Sequence, residues 1–200
     1  MGQPTRFQCR YSLAFALHVV LWSLATWAGG LAGFETHAAT PPAASREYEV
    51  KAAALYNVMA FTEWPESAFT SSDAPLVIVV FGRGPIAGVI AELLKNESWR
   101  NRRLVLQRNP SPGDAKSAQV VFVSRTEQAR WPFLRSQFAG RPILTVGDAE
   151  DFARQAGVVQ LTIEHNKLHL AVNLNAARAA HLQISSKVLR LAEVIGAERK

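Results

Sequence analysis

Leu76-Val77-Ile78-Val79-Val80-Phe81, followed at once by Gly82-Arg83-Gly84-Pro85 and then by Ile86 to Leu94, sets the architecture of this chain. An unbroken apolar run rich in β-branched residues describes a strand covered on both faces, since a strand with one wet face alternates polar and apolar side chains. The glycines and the proline then turn the chain, and Ile86 to Leu94 reads as a helix with Pro85 preset for its first position.

On either side of that unit the pattern alternates between helix and strand. Upstream, a helical repeat runs from Arg46 through Tyr48, Leu55, Tyr56, Met59 and Phe61 and stops before Trp64-Pro65, because a proline disfavours helix in the residue before it. Downstream, strands are expected at 102–107, 120–123, 142–146, 158–163 and 168–172, the last two as a hairpin about His165-Asn166-Lys167. Helices are expected at 126–138, 149–155, 175–181 and 185–194. Such alternation predicts one domain over residues 46–196. Its expected form is a three-layer α/β/α sandwich, doubly wound around a mostly parallel sheet, with the C-terminal antiparallel hairpin at the edge.

Residues 1–39 read as an export signal. Arg6 and Arg10 form a positive start, residues 11–34 carry no Asp, Glu, Lys or Arg, and small residues follow that suit a cut after Ala32, Ala38 or Ala39. The alternative is an uncleaved inner-membrane anchor, since the uncharged run exceeds the roughly 20 residues needed to cross a bilayer. Residues 40–45 read as a spacer and 197–200 as a tail.

Cys9, the single cysteine, falls within the signal, so the exported part can form no disulfide and must rest on a hydrophobic core. About 160 residues suffice for one such core. Loss of Arg6, Arg10 and Glu35 leaves 20 basic and 15 acidic residues, a net charge of +5. The only local concentration of charge is Arg100, Arg102, Arg103 and Arg108, read as a solvated basic face, and nucleic acid is not an expected partner outside a cell.

No catalytic kit emerges. Gly82-Arg-Gly84-Pro-Ile-Ala-Gly88 follows a buried strand and opens a helix, but it has neither the dinucleotide spacing nor the lysine of a Walker loop, and it reads as a structural turn. Glu164, His165 and His169, with Asp148 or Asp151, are the one grouping with metal-ligand chemistry, yet no spacing of a recognised kind joins them. Ser124 and Ser185 lack a nucleophile-elbow context, and Ser185 reads as a helix N-cap. Neither catalytic residue, cofactor nor metal is assigned.

What remains is apolar helix. The segments 52–62 and 184–195 are rich in apolar residues, with Lys187 and Arg190 the only bases in the second. Leu55, Val58, Met59 and Thr62 lie on one side of the first, with Ala54 and Phe61 on another. Val188, Leu189, Leu191, Ala192 and Ile195 give the second an equally broad face, rimmed by Lys187 and Arg190. Burial within the domain and burial against a partner or second copy are both open. Lys51, Leu55, Tyr56, Phe61, Trp64, Lys187, Leu189, Arg190 and Leu191 are therefore the candidate interface residues or core anchors.

Tyr48-Glu-Val-Lys-Ala-Ala-Ala-Leu-Tyr-Asn57, Phe61-Thr-Glu-Trp-Pro65, Ile143-Leu-Thr-Val-Gly-Asp148 with Phe152-Ala, and Val172-Asn-Leu174 running into 182–192 resemble the periplasmic YfiR-like regulators, in order and in spacing. The resemblance implies a non-catalytic periplasmic protein, often dimeric. It implies that the protein restrains an inner-membrane diguanylate cyclase by contacting its periplasmic sensory region, with relief by stress or by capture on an outer-membrane lipoprotein. Ala118-Gln119 stand where members commonly have Cys-His, so a disulfide-based redox sensor is excluded. A periplasmic small-molecule-binding module, using the crevice near Gly82, Ser124 and Gly147, is the alternative reading.

Overall fold

The computed structural model of the protein describes residues 43–196. The expected signal at 1–39 and tail at 197–200 lie outside the described residues. Helix α1 (Ala43–Ala60) begins directly after Pro41-Pro42, inside the stretch read as spacer, and so earlier than Arg46.

Next come β1 (Thr62–Glu63), β2 (Leu76–Phe81), α2 (Ile86–Leu94), β3 (Ser98–Trp99), β4 (Arg102–Arg108), β5 (Val120–Val123) and α3 (Trp131–Phe138). They are followed by β6 (Leu144–Gly147), β7 (Val159–Glu164), β8 (Lys167–Asn173), α4 (Leu174–Ala179), β9 (Gln183–Ile184), α5 (Ser186–Leu189) and β10 (Glu193–Ile195). Among the described residues one eight-stranded sheet has the order β10-β8-β7-β6-β5-β2-β4-β3, and β1 pairs with β9 in a separate two-stranded clasp.

The sheet has helices on both faces, which explains why its central strands are apolar throughout. Leu76, Ile78 and Val80 of β2, with Val120 and Phe122 of β5, pack on Leu55, Val58 and Met59 of α1 and Ile86 and Ile90 of α2. Val79, Phe81, Val121 and Val123 point the other way, onto Trp131, Leu134 and Phe138 of α3 and onto Phe152. This is a three-layer α/β/α sandwich. Strands β2, β4, β5, β6 and β7 are parallel. The chain runs outward from β2 to β4 and then returns past β2 to β5, so winding reverses between β2 and β5.

The segments misread as helix have identifiable causes. Residues 185–194 are not one helix: α5 spans only Ser186–Leu189, and Glu193–Ile195 leaves it to pair in parallel with Ala171–Asn173 of β8. The spacing of Val188, Leu189, Ala192 and Ile195 imitates a helix, but the free edge of β8 offers β-branched Val194 and Ile195 a ladder of hydrogen bonds. The β7–β8 hairpin is consequently one strand in from the edge. Its turn has positive φ at His165 and Asn166, as a two-residue hairpin requires. Residues 126–138 divide between Arg130 and Trp131: a 3₁₀ segment covers Arg125–Arg130, and α3 follows with Pro132 in its first turn, where its missing N–H is tolerated.

Residues 149–155 form turns, not helix, with positive φ at Asp151 and Ala156. The reason is Phe152. Its ring lies against Gly147 and Gly157, where a Cβ at either position would collide with it, and it packs on Trp131 at 4.4 Å between centroids. The short connection is shaped by that one side chain.

Phe152→Ala is therefore expected to lower stability by about 3–5 kcal/mol. Phe133→Ala, at a position 55% exposed on α3, should stay within about 0.5 kcal/mol of wild type. Urea unfolding of the purified variants checks both.

Candidate functional site

The two chain ends singled out by sequence meet. Helix α1 finishes at Ala60, Phe61 follows, and β1 pairs Thr62 with Ile184 and Glu63 with Gln183 of β9. Ser185 N–H donates to Phe61 O at 3.0 Å, and Ser185 Oγ accepts from Lys187 N–H at 3.3 Å, capping α5. These bonds place Lys187 Nζ 5.4 Å from the centre of the Phe61 ring, a cation–π contact. Phe61 is 38% exposed, and beside it a shallow cleft of about 420 Å³ is lined by Glu63, Arg100, Gln183, Ile184 and Ser185. One turn of chain further on, Arg190 is exposed and Leu191 is 82% exposed. Leu191 borders a second hollow with Leu168 and His169 of β8.

The other candidates face inward. Leu55 is buried beneath the sheet face, so the apolar belt of α1 is covered mainly by its own domain. Trp64 is buried against Trp99 in an edge-on pair at 5.2 Å, with its Nε1 donating to Gln119 O. Trp99 Nε1 donates to Met59 O, one of the carbonyls left over at the end of α1. Leu189 is half-buried on the core. Tyr56 is half-buried and donates its hydroxyl to Glu97 at 2.7 Å, a bond that raises the phenol above its ordinary pKa.

Lys51 is fully buried. Its Nζ donates to Glu47 at 2.6 Å, one turn back on α1, and to Asp148 at 2.9 Å, just beyond the end of β6. Asp148 is itself buried and accepts the backbone N–H of Arg125 at 2.6 Å, while the Arg125 guanidinium reaches Glu47 at 2.8 Å. Four charges of alternating sign thus close a ring between α1, β6 and the turn after β5. The spacing of Glu47 and Lys51 is legible as an i,i+4 pair. Asp148 carries no signal of this role in sequence, because its partner lies 97 positions away. The hydrogen bond from Lys51 holds the Glu47 carboxyl below its ordinary pKa, against partial desolvation, with the charges of Lys51 and Arg125 adding to it.

At the winding reversal the space beside Gly82 and Gly147 is taken. Gly82 and Gly84 have positive φ, and the Ser124 side chain occupies the space where a Cβ at Gly82 would sit. Asn109 accepts from Gly82 N–H and donates to Gly82 O, closing the same end. At Gly147 the space is taken by Phe152. Ser124 caps the 3₁₀ segment through Thr126 N–H. Glu164 and His169 lie 3.9 Å apart on the exposed hairpin, whereas Asp148 is bound by Lys51 and Asp151 by Arg154. Among the described residues no three His, Cys, Asp or Glu side chains gather as a metal site would require. No helix among them is long and apolar enough to cross a membrane.

Residues 48–193 match the family model DUF4154, described as YfiR/HmsC-like, and the chain belongs to this family. The YfiR-like family is known as one of periplasmic regulators. No curated protein matches the chain. Among solved structures, a conserved domain protein from Vibrio cholerae O1 biovar El Tor has the same fold. Its TM-score is 0.50 at 14% identity, over 74% of this chain and 60% of that one. The chain thus spans about 60% of that protein's length.

Removing Lys51 leaves the buried carboxylate of Asp148 without its ammonium, and Lys51→Met should cost about 3–5 kcal/mol in urea unfolding. Glu47 acts more weakly and with a definite pH sign. Its native pKa is depressed, so its contribution is complete above the unfolded value of about 4.5 and disappears as pH falls through the lower native value. Glu47→Gln should lower stability at pH 7 and flatten the acid limb below about pH 4.5, as thermal unfolding against pH would show.

Proposed function

We propose that the protein is a periplasmic repressor that binds the periplasmic sensory region of an inner-membrane diguanylate cyclase and lowers cyclic di-GMP. The match of the family model across 48–193 carries the reading. The patch of Phe61, Lys187, Arg190 and Leu191 is the docking surface. Its apolar members are exposed while the rest of both segments is largely covered, and exposed apolar groups rimmed by polar ones are what protein contacts bury. Residues 1–39 direct export.

Repression of this kind needs no bond to be made or broken. The repressor has only to bind the inactive cyclase better than the active one, and a shift from 99:1 to 1:99 requires about 5.5 kcal/mol of preference. One or two buried anchors of hot-spot strength supply that amount. A second copy, or an outer-membrane lipoprotein that covers the same patch, competes with the cyclase and releases it.

Leu191→Glu should leave the unfolding midpoint almost unchanged, since that side chain faces solvent, Phe61→Glu should lower it modestly because most of that ring is covered, and both should raise cellular cyclic di-GMP to the level of a strain lacking the gene. If deletion of the gene leaves cyclic di-GMP unchanged, the repressor role is wrong.

A further inference from the structure

We propose that the outer edge of β4 is a docking strip for an extended, acidic chain segment, taken up as an added strand of the sheet. Strand β3 is only two residues long and pairs with Arg102 and Arg103, so among the described residues nothing pairs with the outer side of β4 beyond Leu104. Asn109 N–H donates inward to Val80 O at 2.9 Å. By strand alternation residues 105 and 107 also face β2, and the N–H and C=O groups of Leu104, Leu106 and Arg108 point outward. Such a row is a template for another strand.

Charge decides which strand fits. Strand β4 carries Arg102, Arg103 and Arg108 with no acidic residue, and Arg100 lies in the turn before it. Arg102 donates to Ser71 O and Ala74 O and Arg108 to Ala87 O, while Arg100 pairs with Glu63. Arg103 is exposed and has no ion pair among the described residues, and it lies with exposed Gln107 on the sheet face that carries α3 farther in. A second copy of β4 would bring three arginines against three, and like charges across a strand pair are destabilising. The chain's own ends fit no better: residues 1–42 hold Arg6, Arg10 and Glu35, and 197–200 hold Glu198, Arg199 and Lys200. An acidic segment from another protein is the occupant with complementary charge. Arg100 is the one residue this edge shares with the Phe61 cleft, so docking here does not require the cyclase.

The test is hydrogen exchange by NMR on the purified protein with two synthetic peptides, one alternating Glu with Val and one alternating Lys with Val. At about ten times its Kd the Glu peptide should slow exchange at Leu106 and Arg108 by about tenfold, and the Lys peptide should not. Arg103→Glu combined with Arg108→Glu should reverse that preference. Leu106→Pro, which removes one outward N–H and no ladder bond to β2, should weaken binding of the Glu peptide while the unfolding transition confirms that the sheet persists. Equal protection by both peptides, none by either, or protection confined to β10 would overturn the proposal. So would protection in the protein alone that grows with its concentration, which would identify a second copy as the occupant.

Discussion

Helix α1 is held to the sheet by a buried ammonium. Lys51 reaches across to Asp148 at the mouth of β6, and this contact sets both the height and the rotation of the helix over β2, β5 and β6. With Lys51 fixed, Leu55, Val58 and Met59 fall on the sheet, one and two turns further along. The last carbonyls of the helix then meet Trp99 Nε1, and Phe61 leaves the helix pointing outward. Burying charge is costly, and an apolar replacement of the whole cluster would serve stability as well or better. What the ring of Glu47, Lys51, Asp148 and Arg125 supplies is a single register: a helix slipped by one residue would strand a carboxylate in the core.

The central layer was legible because its physics is local. A strand dry on both faces has to be apolar at every position, and β2 and β5 have the bounds their sequences predict. Helix α2 does as well, between Pro85 and the end of its apolar repeat. The errors fall where a distant partner outweighs a local pattern. Residues 193–195 read as helix until β8 offers its edge, and 149–155 until the Phe152 ring claims the space at Gly147 and Gly157. The two-residue strands β1, β3 and β9 have no periodicity at all, so nothing in the sequence announces them.

The same division applies to the surface. Composition identified the segments that matter, 52–62 and 184–195, but not how much of each is covered. Leu55 and Trp64 proved to be interior, and Leu191 exposed, because the first helix packs on a sheet while the second is cut short by a strand. The adjacency of Phe61 and Lys187 depends on the β1–β9 clasp, formed by residues more than a hundred positions apart. Arginines 100 to 108 read as an ordinary wet face. Only strand order shows that Arg108 lies on the stretch of edge that the short β3 leaves open.

The clasp and the Lys51 bridge also determine when this molecule can finish folding. The first helix is secured by a residue at 148, the strand after it by residues at 183–184, and the sheet is closed by 193–195. No early portion of the chain can complete a layer by itself, and pairings this remote are slow to form. A nascent chain therefore remains open until residues 193–195 have been made. The closing contacts of the clasp and of the sheet edge arrive only with residues 183–195.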